Sequence, residues 1–153
     1  RKDHIMDIDK LREELKIDEG VKYEIYLDHL SLPTLGVGHL IKDTDPENGL
    51  PVGTKIEEER VNELFDEDIQ VTIQECKYLY NDFDDLPEEA QRIIANMMFN
   101  LGRPRLSRFL KMKQHVDNRD FVSASEEMKN SKWYRQVTNR AQRLCDRMAN
   151  ITT

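Results

Sequence analysis

Two carboxylates and a hydroxyl near the start of the chain have the types and spacing that acid–base chemistry needs. Glu19 stands at the predicted end of a helix, Asp28 follows one predicted strand later, and Thr34 lies in the next strand. Hydrolysis of a glycosidic bond uses one protonated carboxyl to donate to the leaving oxygen and one ionised carboxylate on the opposite side. The hydroxyl of Thr34 could help to hold a water molecule. In a chain with 30 acidic residues, however, a Glu and an Asp beside two turns are most often surface charges.

Hydrophobic periodicity predicts the elements that must position these residues. Apolar residues with helical spacing predict a helix over 7–18, and Gly20 ends it because glycine tolerates the left-handed conformation. Alternating residues predict a strand over 23–27. The segment 32–40 predicts a second strand, whose two glycines allow another group to approach the backbone closely. We therefore expect a small hairpin-type sheet after the first helix.

The rest of the chain is predicted to be helical, apart from an irregular loop over 42–54. A long helix runs from about 57 to 80 and has one apolar stripe. Apolar residues on two faces of 88–101 predict a central buried helix, which Gly102 stops. Shorter helices are expected near 105–114, 118–129, 131–136 and 138–150.

The order of these elements predicts the α+β class and one domain, a size that 153 residues fit. Within residues 1–153 we expect a small lobe at about 20–56 and a linking helix at about 57–80. A helical lobe at about 81–153 would include the N-terminal helix. A helix of that length is long enough to join two lobes.

The net charge of −7 is unevenly distributed along the sequence. Residues 1–87 hold 10 Lys and Arg against 23 Asp and Glu, whereas residues 88–153 hold 13 against 7. The second part could therefore attract an anionic polymer, although two solvated surfaces of opposite charge explain the pattern equally well. Its basic residues are not interleaved with aromatic residues as in nucleic-acid binders, so no nucleic-acid partner is expected.

Several other kinds of site are not expected from the sequence. Cys76 and Cys145 stand alone in helical patterns and are interpreted as free core thiols. Alternate acids at 43–47 resemble a calcium loop, but Thr54 stands where the last ligand would be, and no metal is expected. No apolar run approaches the ~18 residues that span a membrane. The first residues lead into no apolar core, so no signal peptide is expected.

Four ordered motifs resemble the phage-type lysozymes of glycoside hydrolase family 24. The first reads DEG at 18–20, YLD at 26–28 and TLGVGH at 34–39. It resembles the active-site segment of that family, and its internal spacing matches without a gap. The later motifs read LFDED at 64–68, NMMFNLG at 96–102, and SKWY with NRA at 131–134 and 139–141.

The resemblance implies a lysozyme-like fold and a muramidase that cuts the β-1,4 bond between N-acetylmuramic acid and N-acetylglucosamine. It implies that Glu19 is the general acid and that Asp28 and Thr34 position or activate the attacking water, with inversion of configuration. It implies no cofactor and no metal. The implied partner is the peptidoglycan polysaccharide, with a monomeric protein and no membrane insertion. A phage-encoded enzyme of this kind would wait in the host cytoplasm before lysis and then act on the periplasmic wall.

Supporting roles are implied for further residues. Arg140 resembles the family arginine that pairs with the catalytic Glu, and Asn100 replaces a Gln that touches it. His39 and Asp68 resemble a structural ion pair between the small sheet and the linking helix. Leu40 and Phe99 match family positions that line the saccharide cleft. Packing in the core is the alternative role for both.

Some residues depart from the family pattern. Ser31 replaces a frequent glycine, so the turn that carries Asp28 is expected to shift. Asn100 is one methylene shorter than the Gln it replaces, which weakens the expected hydrogen bond. Leu30, Met112 and Glu127 also differ from the family at positions along the cleft expected between the lobes.

Two other functions are compatible with the same sequence. A lytic transglycosylase cleaves the same bond without water and needs the Glu but not the Asp and Thr. A non-catalytic wall-binding module could keep the fold without turnover. The presence of Glu19, Asp28 and Thr34 together favours hydrolysis over both.

Overall fold

The computed structural model describes residues 5–152, which form two compact units. One unit is Arg12–Val71, and the other joins the described residues before Arg12 to those after Val71. The first unit contains a three-stranded antiparallel sheet, and the second is helical. This confirms the predicted α+β class.

Helices account for most of the described chain. In chain order they are α1 Ile8–Glu19, α2 Glu58–Leu79, α3 Glu88–Leu101, α4 Arg103–Leu106, α5 Leu110–Asp117, α6 Phe121–Lys129, α7 Lys132–Gln136 and α8 Thr138–Ala149. A short 3-10 turn at Phe83–Asp85 precedes α3.

The sheet has three strands in the order β1, β2, β3: Lys22–Leu27, Pro33–Gly36 and His39–Leu40. The prediction of one continuous strand over 32–40 was wrong. Gly36 and Gly38 have φ of +61° and +58°, so the backbone turns between them and returns as β3. Positive φ is incompatible with an extended strand and is readily adopted by glycine.

The other edge of β1 is also paired. The amide of Ile25 donates to the carbonyl of Thr54 at 2.9 Å, and the amide of Gly53 donates back to the carbonyl of Ile25 at 2.8 Å. The amide of Ile56 donates to the carbonyl of Tyr23 at 3.0 Å. These bonds attach the end of the long loop to the sheet just before α2 begins.

The core of the Arg12–Val71 unit is formed by apolar residues from the sheet, α1 and α2. Its most deeply buried side chains are Leu15, Ile25, Leu35, Val37, Val61, Leu64, Phe65 and Ile69. The predicted stripe of α2 is buried along its whole length, including Ile73 and Cys76 in the second unit. Burial of this stripe stabilises the helix, because helix propensity alone contributes little.

The second unit is built around α3, as its apolar pattern predicts. Nine of its residues are buried: Ala90, Gln91, Ile93, Ile94, Ala95, Asn96, Met97, Met98 and Leu101. Gly102 ends the helix with φ of +80°, and its amide donates to the carbonyl of Met98 at 2.8 Å. Helices α6 and α8 pack against each other, and α8 also packs against α3.

The helix predicted near 105–114 is instead two helices, α4 and α5. The amide of Phe109 donates to the carbonyl of Leu106 at 3.0 Å, which closes a tight turn between them. Phe109 itself has a ψ of 63°, outside the helical region, so one continuous helix cannot pass through it.

Cys76 and Cys145 are buried, unpaired thiols, as expected. Burial raises the pKa of both thiols, that of Cys145 to about 11. Within residues 5–152, no helix combines the length and hydropathy that a membrane-crossing segment requires.

Candidate active site

Glu19 is the last residue of α1, and its carboxylate lies against the backbone of Gly38. A Cβ atom at position 38 would lie 2.8 Å from Oε1 of Glu19, closer than real Cβ contacts occur. Glycine suits this position because its φ is +58° and because a Cβ would force the flexible Glu19 side chain to move. The turn between β2 and β3 thus lies directly against the Glu19 carboxylate.

Asp28 follows β1 directly and is held by the backbone of the next turn. Its Oδ1 accepts hydrogen bonds from the amides of Leu30 at 2.8 Å and Leu32 at 2.9 Å. These amides, chiefly that of Leu32, hold the pKa of the Asp28 carboxyl below its usual range. Both bonds that the carboxylate makes within residues 5–152 use Oδ1, so Oδ2 remains available to accept a proton.

Thr34 lies in β2 and is connected to Asp28 through one peptide group. Its Oγ1 donates to the carbonyl of Leu32 at 2.9 Å, and the same carbonyl accepts from the amide of Asp28 at 3.0 Å. The hydroxyl proton of Thr34 is therefore engaged, and its oxygen is left as a hydrogen-bond acceptor. Leu32, which sequence reasoning missed, is the residue that fixes Asp28 and Thr34 relative to each other.

The turn that carries Asp28 is closed in spite of the serine at position 31. The amide of Ser31 donates to the carbonyl of Asp28 at 2.9 Å, and Ser31 has a φ of 63°. The serine thus adopts the left-handed conformation that glycine would adopt more easily. The turn therefore closes with backbone strain at Ser31, and its shift relative to the family stays a prediction.

His39 in β3 lies between two carboxylates. Its Nδ1 is 2.7 Å from Oδ2 of Asp68 in α2, which is the predicted contact, and its Nε2 is 2.7 Å from Oδ2 of Asp45. Burial alone would lower the pKa of His39, which is 4% exposed, but the two carboxylates outweigh burial and raise it. The partner Asp45, six residues along the chain in an irregular loop, was not predicted.

The loop that supplies Asp45 is held to α2 by a second ion pair. Glu47 is buried, and its two carboxylate oxygens accept from Nε and Nη2 of Arg60 at 2.8 and 3.0 Å. The two-point contact lowers the pKa of Glu47. Helix and strand are absent over 43–54, where backbone bonds close successive turns and these side-chain bonds attach the loop to its neighbours.

The remaining sequence-predicted residues divide between the two units. Leu40 lies in β3 and is 49% exposed, so its side chain is accessible to a ligand rather than packed in the core. Phe99 and Asn100 lie in α3 of the second unit, and Oδ1 of Asn100 accepts from the indole Nε1 of Trp133 at 2.8 Å. Trp133 itself is buried and packs edge-on against Phe109, consistent with a core aromatic.

Arg140 lies in α8 of the second unit and is buried. Its Nε donates to Oδ1 of Asn96 at 2.9 Å and its Nη2 donates to the carbonyl of Asn96 at 3.3 Å. Asn96 is fully buried in α3, so the guanidinium is oriented by a rigid partner. Its predicted pairing with Glu19 stays a prediction.

Among the described residues, no group of three or more His, Cys, Asp and Glu is arranged to hold a metal ion. The polar residues of the Arg12–Val71 unit instead form a carboxylate beside a glycine turn, and a second carboxylate with a hydroxyl beside it. Such a set can donate a proton, accept one and hold a water molecule.

Comparison with known proteins also indicates an enzyme that catalyses hydrolysis. The phage lysozyme family model matches residues 16–150. A probable T4-type lysozyme 2 of Dictyostelium discoideum is 28% identical over 90% of this chain and 92% of its own. The pre-baseplate central spike protein Gp5 of Enterobacteria phage T4 is 24% identical, and the match covers 88% of this chain but 26% of Gp5.

A peptidoglycan hydrolase, gp36 of Pseudomonas phage phiKMV, is 26% identical over 94% of this chain and 15% of its own length. The family match covers most of the chain and includes the segment that holds Glu19, Asp28 and Thr34. The chain belongs to the phage lysozyme family of glycosidases.

Proposed function

We propose that this protein hydrolyses the β-1,4 bond between N-acetylmuramic acid and N-acetylglucosamine in bacterial peptidoglycan. The proposal is supported by the family of the chain and by the name of one relative, a peptidoglycan hydrolase. The observation that carries it is the arrangement at Leu32. The backbone of Leu32 binds both residues, Asp28 through its amide and Thr34 through its carbonyl, and leaves Oδ2 of Asp28 and the oxygen of Thr34 as two acceptors.

Glu19 acts as the general acid. It gives its proton to the glycosidic oxygen as the bond from that oxygen to the anomeric carbon breaks. To do so it must enter each cycle protonated. Gly38 leaves the room that the carboxyl occupies, since a Cβ atom there would lie 2.8 Å from Oε1 of Glu19.

Asp28 and Thr34 act on the attacking water. The water donates one hydrogen bond to Asp28 Oδ2 and the other to Thr34 Oγ1, and its oxygen bonds to the anomeric carbon from the side opposite the leaving oxygen. Asp28 accepts the released proton. Because the Leu32 and Leu30 amides lower its pKa, Asp28 is ionised and ready to accept when the water attacks.

Other residues support this chemistry. From the family resemblance we expect Arg140, whose guanidinium is bonded to Asn96, to pair with the carboxyl of Glu19 and orient it, and Asn100 to support that pairing. Leu40 and Phe99 contact the saccharide. The ion pair of His39 and Asp68 is structural, because it joins β3 to α2 and leaves no donor for the substrate.

Analysis of the first product tests this function. Hydrolysis of purified glycan strands is expected to release reducing ends, and NMR recorded within the first turnovers is expected to find them in the α configuration. Products that end in 1,6-anhydro sugar would indicate transglycosylation and contradict the role of Asp28. A β configuration would contradict direct attack by water.

Binding without turnover is the other alternative. In that case the strands would co-sediment with the protein, yet no new ends of either kind would appear. Asp28→Asn is the matched variant, because it preserves the shape of the side chain and removes its ability to accept a proton. It is expected to lose about 10²- to 10⁴-fold in rate.

A further inference from the structure

One face of the small sheet carries a row of three side chains. Tyr26 of β1 pairs directly with Thr34 of β2, and Thr34 pairs with Leu40 of β3. Residues directly opposite in an antiparallel sheet point to the same face. Leu35 and His39, which pair on the other face, are both buried. The row that includes Tyr26 is therefore on the same side of the sheet as the proposed water-binding Thr34.

Tyr26 also stands between the two proposed reacting carboxylates in the chain: Glu19 ends α1 just before β1, and Asp28 follows β1 two residues after Tyr26. Partial burial is the main cause that raises the pKa of Tyr26, and the charges of Glu19 and Asp28 raise it further. The phenol therefore lies in the electrostatic field of both carboxylates.

A cation lies over the ring of Tyr26. Nζ of Lys22, at the start of the same strand, is 4.3 Å from the ring centroid, within the range of a cation–π interaction. The backbone of Tyr26 is paired with that of Thr34 in the sheet. This pairing fixes the position in the strand from which the Tyr26 hydroxyl can reach a ligand.

The chemistry of the neighbouring groups leaves a specific role for this hydroxyl. Asp28 is ionised and can only accept, and the proton of Thr34 is already donated to Leu32. Oxygen atoms of an N-acetylated sugar on this face need a donor. The phenol of Tyr26 keeps its proton through the whole neutral range and can supply one.

We propose that Tyr26 is a further substrate-binding residue, whose hydroxyl donates a hydrogen bond to an oxygen of the amino sugar held against Glu19 and Asp28. This inference rests on the proposed hydrolysis of peptidoglycan. The bond forms to the sugar that changes shape as the glycosidic bond breaks, and it therefore acts mainly in the transition state.

Tyr26→Phe tests the inference, because it removes one oxygen and keeps the ring beneath Lys22. Tyr23→Phe is the matched control, since Tyr23 is an exposed tyrosine of the same strand. With soluble uncross-linked glycan strands, Tyr26→Phe is expected to lower kcat about tenfold with KM changed less than about twofold. The control is expected to keep the parent kcat. Equal kcat values for the two variants would overturn the inference.

Ultraviolet titration of the phenols tests the placement of Tyr26 without using activity. The signal of Tyr26 is the difference between the parent protein and Tyr26→Phe. Glu19→Gln and Asp28→Asn should each move its midpoint to lower pH, and a midpoint that does not move in either variant would overturn the inference. If the parent protein releases no sugar ends at all, the proposed hydrolysis fails and this inference with it. Parent activity with an unaffected Tyr26→Phe overturns the inference alone.

Discussion

At the scale of single residues, the proposed site depends on backbone groups as much as on the side chains proposed to react. Gly38 makes room for the Glu19 carboxyl, and the backbone of Leu32 joins Asp28 to Thr34 through its amide and its carbonyl. Neither residue has a reactive side chain. Substitutions that alter only the backbone should therefore affect catalysis as specifically as substitutions of the carboxylates.

Gly38→Ala is expected to impair catalysis through the position of Glu19. The new Cβ would lie 2.8 Å from Oε1, so the carboxyl must move, and we expect activity to fall about tenfold or more. Gly49→Ala is the matched control. Its φ is also positive, at +89°, but no atom lies within 4 Å of the new Cβ.

Both glycine variants should lose about 1–2 kcal/mol in the free energy of unfolding, because alanine is strained at positive φ. Urea denaturation measures that loss, and initial rates on glycan strands measure activity. Equal activity in the two variants would contradict the role assigned to the close approach at Gly38.

Ser31→Gly should stabilise the protein, because Ser31 pays a cost for its φ of 63° that glycine does not. Relief of that strain raises the free energy of unfolding, whereas the greater freedom of glycine in the unfolded chain lowers it. The net expectation is a gain of about 0.5–1 kcal/mol in the free energy of unfolding. Urea denaturation at neutral pH would measure it. A loss of stability would mean that the serine side chain stabilises the turn in a way that its backbone conformation does not indicate.

At the scale of elements, the long loop between β3 and α2 is ordered by charge. Asp45 and Glu47 reach His39 and Arg60 respectively, and both acids are among the least exposed charged groups of their unit. Backbone bonds within the loop close its turns, and these two acids attach it to β3 and α2, so its stability should also depend on the protonation of these groups.

The contacts of His39 predict a specific pH dependence of stability. Because its pKa is raised, the stability it contributes is complete below its unfolded value of about 6.5 and is lost as the pH rises through the folded pKa. The pKa of Asp45 is lowered, so its contribution is complete above about 3.9 and is lost as the pH falls through its folded value. The combined contribution is thus largest between about pH 4 and 6.5.

His39→Gln measures this contribution. At pH 5.5 it should lower the free energy of unfolding by roughly 3 kcal/mol, since it leaves two carboxylates without their cation. The deficit should shrink above the folded pKa of His39. His29→Gln, at an exposed histidine, is the control and should change little. A deficit that is constant from pH 5 to 9 would contradict the ion pairs.

The elements themselves could be predicted in kind but not in every boundary. Periodicity identified α2 and α3 because each buries one continuous apolar stripe. It did not divide 32–40 into two strands, because the signal for that division is the conformation of two glycines rather than any apolar pattern. It joined α4 to α5 because hydrophobic spacing continues across the turn at Phe109.

The site was predictable only in part for a related reason. Glu19, Asp28 and Thr34 carry the resemblance to the family, so their types and spacing were visible in the sequence. Leu32 holds Asp28 and Thr34 through backbone groups, and Asp45 reaches His39 from an irregular loop. Such contacts leave no periodic trace in a sequence.

At the scale of the whole molecule, charge is divided along the chain. Residues 88–153 carry an excess of basic groups, whereas residues 1–87 are strongly acidic. A peptidoglycan wall is anionic, so the basic part should increase the rate of encounter and the acidic part should oppose it. Screening by salt should reduce both effects, because the Debye length falls from about 10 Å at 0.1 M to about 3 Å at 1 M.

Two charge reversals test this division. Arg135→Glu, at an exposed position of α7, should lower kcat/KM on whole walls by about threefold at low salt, with the deficit vanishing near 0.5 M. Lys10→Glu makes the same change in charge at an exposed position of the acidic part and should have a smaller effect. Equal losses in both variants, or a loss that salt does not reduce, would contradict steering by the basic part.

The most direct test of the central claim is the rate at which purified Gram-negative peptidoglycan is cleared by the parent protein and by Glu19→Gln. The substitution preserves size and hydrogen bonding but removes the proton that the glycosidic oxygen must receive. We expect the rate to fall by about 10²- to 10⁴-fold, while Glu24→Gln, at a partly exposed glutamate of β1, clears at the parent rate. Clearing by Glu19→Gln at the parent rate would contradict the assignment of Glu19 as the acid and, with it, the mechanism proposed for this site.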